Sequence, residues 1–296
     1  MPSDQLKIVI DMLRSAPAVD GTDVLAMRKN MEAVVAAAPR PEGVAFTPVD
    51  ANGVPAEWTV ADDARDDVAI VYFHGGGYVM GSLNSHRGHC ARISQVARAR
   101  VLSIDYRLGP EHPHPAAVED AVAAVRFARA SGFAPKRTAV AGDSAGGGLT
   151  LATLLALRDA GDPAPAAGLC ISPWTDLALT GETLRTKAAE DPMVRGVDLQ
   201  LMVDAYLAGQ DAKHPLASPL YADFSGLPPL LIQVGSAEIL LDDAVRVAER
   251  ARAAGVAVEL RVWQDMIHVW HAFAPILPEG QQAVEEMAAF LEKQLA

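Results

Sequence analysis

Near the N-terminus the apolar positions recur at helical spacing, with Leu6, Val9, Ile10 and Leu13 on one face. A second run, from Thr22 to Ala38, is rich in Ala, Met and Val and reads as another helix. Asp20-Gly21 separates the two, and Pro39 and Pro41 end the second. The period then shortens. Residues 44–49, 58–60, 68–73 and 101–105 are short, β-branched and bounded by turn residues, which predicts strands.

Further along, strands and helices alternate. Residues 138–141, 169–172, 230–234 and 258–262 read as strands, and 115–130, 145–160, 242–254 and 281–295 as helices. Such alternation implies a mostly parallel sheet covered by helices on both faces. The early strands, separated by Asn52-Gly53, add an antiparallel edge. Between Trp174 and Pro215 the rhythm breaks: no strand is evident, only polar turns and a helical pattern around 198–207. This stretch reads as an insertion folding beside the N-terminal helices as a lid. The expected division is 1–43 and 177–213 for the cap, and 44–176 and 214–296 for the α/β body.

Composition narrows the function classes. Of 296 residues half are apolar and a fifth are charged, a globular balance that suits one domain with a lid. Lys and Arg number 25 against 37 Asp and Glu, for a net charge of −12. That argues against nucleic acid as a partner, which calls for clustered cations. Arg92, Arg98 and Arg100, and again Arg246, Arg250 and Arg252, read as solvated helix faces. The most apolar run, Leu149 to Leu157, is too short to span a membrane and holds two threonines. The N-terminus lacks the basic start and apolar core of a signal peptide, so a cytoplasmic location is expected. Cys90 and Cys170 lie in unrelated contexts and read as two buried thiols, insufficient for a metal site.

The strongest chemical signal is Gly142-Asp143-Ser144-Ala145-Gly146, a G-x-S-x-G match between an apolar strand and an apolar helix. A strand-to-helix turn exposes its serine on a strained backbone, at the positive end of the helix. Upstream, His74-Gly75-Gly76-Gly77-Tyr78 follows another strand. Its glycines leave backbone N–H groups uncovered, and with the amide after Ser144 they could hold an oxyanion. No G-x-x-x-x-G-K follows, which sets a phosphate-binding reading aside.

A serine of ordinary acidity needs a base, and on such a sheet the order is serine, acid, histidine. Three histidines follow Ser144: His214, His268 and His271. His268 lies just beyond the last strand, His271 is its competitor, and His214 reads as part of a turn at the lid boundary. Glu238 sits in the loop after strand 230–234 and is favoured as the acid. Asp242 reads as the cap of the next helix, and Asp265 stands too close to His268 to orient it.

These blocks resemble the hormone-sensitive-lipase-like family of α/β-hydrolase esterases. The resemblance rests on His74-Gly75-Gly76-Gly77, on Asp105-Tyr106-Arg107-Leu108-Gly109-Pro110-Glu111-His112-Pro113, and on Gly142-Asp143-Ser144-Ala145-Gly146-Gly147, followed by Gly226-Leu227-Pro228-Pro229 and Met266-Ile267-His268. It implies Ser144 as nucleophile, His268 as base, and Gly76, Gly77 and Ala145 as the oxyanion hole. The family's acid segment is D-P-L, where this chain has Glu238-Ile239-Leu240, so glutamate stands in for aspartate. A glycine is usual where Asp265 stands. The charged residues around Arg107 and Glu111 are expected to hold a loop behind the site. The implied activity is a carboxylesterase for short- to medium-chain acyl esters, working through an acyl-enzyme with a Ser-His-Glu triad. The rival readings are a lipase, amidase or lactonase, or a non-catalytic receptor on the same fold. A neutral small-molecule ester is the expected partner, with no metal or organic cofactor required, and a homodimer is left open.

Overall fold

The structure, a computed structural model, describes residues 3–15, 23–36 and 41–295. The expected break at Asp20-Gly21 and the stop at Pro39 lie outside the described residues. Helices α1 (Asp4–Ser15) and α2 (Val24–Ala36) come first. The strands are β1 (Val44–Asp50), β2 (Pro55–Ala61), β3 (Ala69–Phe73), β4 (Arg100–Ile104), β5 (Thr138–Asp143), β6 (Ala167–Ile171), β7 (Leu230–Gly235) and β8 (Val258–Trp263). Between and after them lie α3 (Leu83–Ala97), α4 (Ala116–Ala130), α5 (Ala145–Asp159), α6 (Thr183–Thr186), α7 (Gly196–Leu207), α8 (Leu241–Ala253) and α9 (Pro278–Leu295).

The strands form one sheet in the order β1-β2-β4-β3-β5-β6-β7-β8. β1 and β2 make an antiparallel hairpin, and β2 joins β4 antiparallel. Every later pairing is parallel. This is the mostly parallel sheet expected from the alternation, with its antiparallel edge at the Asn52-Gly53 turn, and the α/β-hydrolase architecture that the family resemblance implies.

Alternation along the buried strands divides the core in two. Ala69, Val71 and Phe73 of β3 pack into a cluster with residues of α4, α5 and α8. Their neighbours Ile70 and Tyr72 point the other way, into a cluster with Cys90 and Ile93 of α3 and Val284 and Phe290 of α9. A period of two thus sends one strand into both layers. Both cysteines are free and buried. Among the described residues no helix is long and apolar enough to cross a membrane.

Parallel register also brings distant segments together. Phe73 pairs with Gly142, so the glycine loop after β3 leaves the sheet beside the turn after β5. Gly235 pairs with Trp263, so the loops after β7 and β8 leave side by side. Ligand sites of open α/β sheets sit beyond such carboxyl ends.

The segment between β6 and β7 carries α6 and α7 and no strand, as the broken rhythm predicted. It docks through Tyr206, whose ring stacks on Tyr78 at 4.0 Å. Arg28 of α2 also reaches the body, donating to the carbonyls of Val79 and Gly109 and bidentately to Glu111. Arg107 pairs with Asp120 and Glu119, so the charged block around it braces a loop, as expected.

Three readings need correction. Helix α3 is absent from the sequence-predicted helices, because its buried face is made of His86, His89, Cys90 and Ser94 as well as Ala91 and Ile93. A reciprocal cap between Ser82 and Ser85 starts it. Of the first basic set only Arg92 lies on a helix: Arg98 is the left-handed residue ending α3, and Arg100 opens β4. The third correction concerns Asp242. It lies inside the first turn of α8 rather than at its cap, which is Leu240. Its carboxylate accepts the N–H of Thr183 instead.

Candidate active site

Ser144 occupies the turn between β5 and α5 with φ 54° and ψ −119°, a sterically costly conformation for a residue with a Cβ. The turn is held by its neighbours. The Ser144 N–H donates to the carbonyl of Ile171 at 2.8 Å, and its carbonyl accepts the N–H of Trp174 at 2.9 Å. A Cβ on Gly146 would run into the carbonyl oxygen of Phe73, so only glycine lets α5 approach β3 this closely.

The loop after β3 curls over this turn. Gly76 and Gly77 adopt φ values of 114° and 62°. Among the described residues, the N–H groups of Gly76, Gly77 and Ala145 have no hydrogen-bond acceptor. Asp143 secures the loop from below: its Oδ1 accepts the Gly75 N–H at 3.1 Å and the Tyr72 hydroxyl at 2.7 Å. His86 lies 3.4 Å from the same carboxylate. Burial alone would raise the Asp143 pKa, but the charges of His86 and His89 and the Tyr72 hydrogen bond hold it well below the ordinary carboxylate range.

On the far side, His268 and Glu238 emerge from the adjacent loops after β8 and β7. The Ser236 N–H donates to Trp263 and the Ala237 N–H to Met266, which ties the two loops together. His268 Nδ1 then lies 2.5 Å from Glu238 Oε2, while Oε1 accepts the Gly235 N–H at 2.8 Å. Glu238 is fully buried and His268 almost so. Burial disfavours protonation of His268, yet the charge and hydrogen bond of Glu238 outweigh it and raise its pKa above the ordinary value. With Nδ1–H given to the carboxylate, Nε2 is left as the basic atom.

The competing residues lie elsewhere. His271 is buried against Gln233 Oε1 at 2.9 Å, and burial holds its pKa well below the ordinary value. His214 is an exposed turn residue whose ring stands 5.0 Å from that of His114. Asp265 is exposed, with φ 63°. That left-handed backbone accounts for the glycine usual at this position in the resembled family, and Asp tolerates it better than most residues do.

Ser144, His268, Gly76 and Gly77 all line one cavity of about 420 Å³. Its walls are mainly apolar: Met27 and Met31 come from α2, Met80 and Trp174 from the body, and Met193, Leu199 and Met202 from the segment carrying α7. Arg195 and Asp198, paired at 2.7 Å, add charge. The sequence reading had not singled out these methionines, which share no motif. A hydroxyl, an imidazole held in one tautomer and uncovered amides around one apolar cavity form a grouping suited to acyl transfer.

Comparison with known proteins gives the family. A family model for the alpha/beta hydrolase fold matches residues 70–272. An acetyl-hydrolase of Streptomyces hygroscopicus is 51% identical over 236 residues, spanning 80% of this chain and 79% of that protein. An esterase from the bacterial hormone-sensitive lipase family superposes with a TM-score of 0.95 at 49% identity, with all of both chains covered. EstE5, in a crystal soaked with p-nitrophenyl butyrate, gives 0.95 at 46% identity over 99% of each chain. The chain belongs to the hormone-sensitive-lipase-like esterases of the α/β-hydrolase fold.

Proposed function

We propose that this chain is a carboxylesterase that hydrolyses short- to medium-chain acyl esters through an acyl-enzyme on Ser144. The observation that carries the reading is the His268–Glu238 pair opening on the same cavity as Ser144 and the unpaired amides of Gly76 and Gly77. His268 Nε2 takes the hydroxyl proton as Ser144 attacks the ester carbonyl carbon. The oxyanion is held by the amides of Gly76, Gly77 and Ala145, and collapse expels the alcohol, protonated by His268. Water, deprotonated by the same imidazole, attacks the acyl-enzyme and releases the acid. Glu238 fixes the imidazole tautomer and stabilises its cationic form.

Helix α2 and residues 177–213 serve as a cap over the cavity, whose methionines supply a deformable apolar surface for the acyl group. A neutral ester suits a chain with net charge −12, because the negative charge of the reaction arises only where the amides receive it. The test is Ser144→Ala against a chromogenic ester. Turnover should fall to background, and a variant keeping a substantial fraction of wild-type turnover would refute the assignment.

A further inference from the structure

Asp191 lies in the segment between α6 and α7, far in sequence from the β7 loop, yet its carboxylate joins the two. Oδ1 accepts the N–H groups of Met193 and Val194, at 2.8 and 3.0 Å, and so shapes the wall that both residues contribute to the cavity. Oδ2 turns away and accepts the N–H of Ile239 at 3.0 Å. Ile239 directly follows Glu238 and is fully buried. Oδ1 thus serves the local turn, as Asx side chains do. The second oxygen binds a backbone 48 residues away.

We propose that Asp191 is a positioning residue of the Ser144 site: it fastens the cavity wall at Met193 and Val194 to the loop that aims Glu238, and it sets a second negative charge behind the His268 imidazolium. The inference rests on the esterase reading and adds to it a mechanical and electrostatic link from the inserted segment to the base. Thr183 makes a neutral link beside it, donating from its hydroxyl to the Ile239 carbonyl and accepting the Asp242 N–H. Charged and titratable groups reach His268 from four segments. They are Glu238 on the β7 loop, Asp191 on the insertion, Asp143 at the end of β5, and His271 in the turn that follows. The three carboxylates favour the imidazolium, while His271, whose protonation burial suppresses, adds no charge against it.

The experiment is a pH–rate profile of the full chain with a p-nitrophenyl ester, comparing wild type with Asp191→Asn, Asp191→Glu and Thr183→Val. Removing the Asp191 charge should move the acid limb of kcat/KM down by roughly half a pH unit and lower the plateau kcat about threefold, with KM little changed. Asp191→Glu should bring the limb back to its wild-type position. Thr183→Val, which cuts a neutral link, should lower Tm and leave the limb in place. An unmoved limb in Asp191→Asn, or an equal displacement in Thr183→Val, overturns the proposal. If Asp191→Asn does not fold, Asp191→Ser keeps a short acceptor for Met193 and Val194 and is read in the same way. Ser144→Ala separates the two failures. If it is inactive and the limb does not move, only the role of Asp191 falls; if it stays active, the base role of His268 falls and this proposal falls with it.

Discussion

His268 and Glu238 stand 30 residues apart in the chain and meet at 2.5 Å, because parallel pairing of β7 with β8 brings their loops out together. Asp242, only four residues beyond Glu238, faces the other way and holds the Thr183 amide. The two acids therefore part company under mutation. Glu238→Gln should lower kcat by about 10²–10⁴-fold, whereas Asp242→Asn should leave kcat close to wild type and reduce Tm. A larger kcat loss in Asp242→Asn would move the acid role to that residue.

The same pair sets a pH dependence. In the proposed mechanism His268 must be neutral to act as base, and Glu238 raises its pKa above the ordinary 6.5. The acid limb of kcat/KM should therefore have its midpoint above 6.5, and Glu238→Gln should displace it to lower pH. Stability follows the opposite direction. A folded-state pKa above the unfolded one contributes stability that is full below the unfolded value and is lost as pH rises through the folded value. Chemical denaturation of wild type and Glu238→Gln on either side of the limb checks the sign.

Gly76 has φ 114°, and a Cβ there would meet the Met80 carbonyl. Gly76→Ala should displace one amide of the proposed oxyanion hole and lower kcat by about 10²–10³-fold. Far-UV circular dichroism should remain that of wild type, since the loop lies outside the sheet. Unchanged kcat would remove this amide from the mechanism.

Met202 of α7 sits against Gly77, so a side chain there would strike its sulfur. Met202→Ala deepens the cavity next to the reacting carbon. Its kcat/KM should shift toward longer acyl chains in a p-nitrophenyl ester series, with each methylene accommodated worth about 1–3 kcal/mol. An unchanged order of preference would place the acyl chain elsewhere.

What the sequence revealed depended on how local each signal was. Ser144 and the two glycines sit in contiguous strand-turn blocks, so motif and context identified the candidates together. Glu238 followed from chain order and its place in the loop, whereas the partner that Asp242 holds, the Thr183 amide, came only with the structure. Asp265 made no sense as a letter, and its left-handed backbone explains it. Helix α3 escaped because histidines, a serine and a cysteine form much of its buried face. The Asp143–Gly75 bond, the methionine lining and the Asp191 link join segments far apart in the chain. No spacing rule encodes such contacts; they exist only once the sheet has set its neighbours.

The central claim is that Ser144 Oγ is the nucleophile that becomes acylated. Treatment with an organophosphonate ester, followed by peptide mass spectrometry, tests it most directly. One phosphonyl group per chain should appear on the peptide containing Ser144, accumulating in step with the loss of esterase turnover, and His268→Ala should slow the labelling. Full inactivation with the label on another residue, or turnover that survives complete labelling of Ser144, would contradict the account.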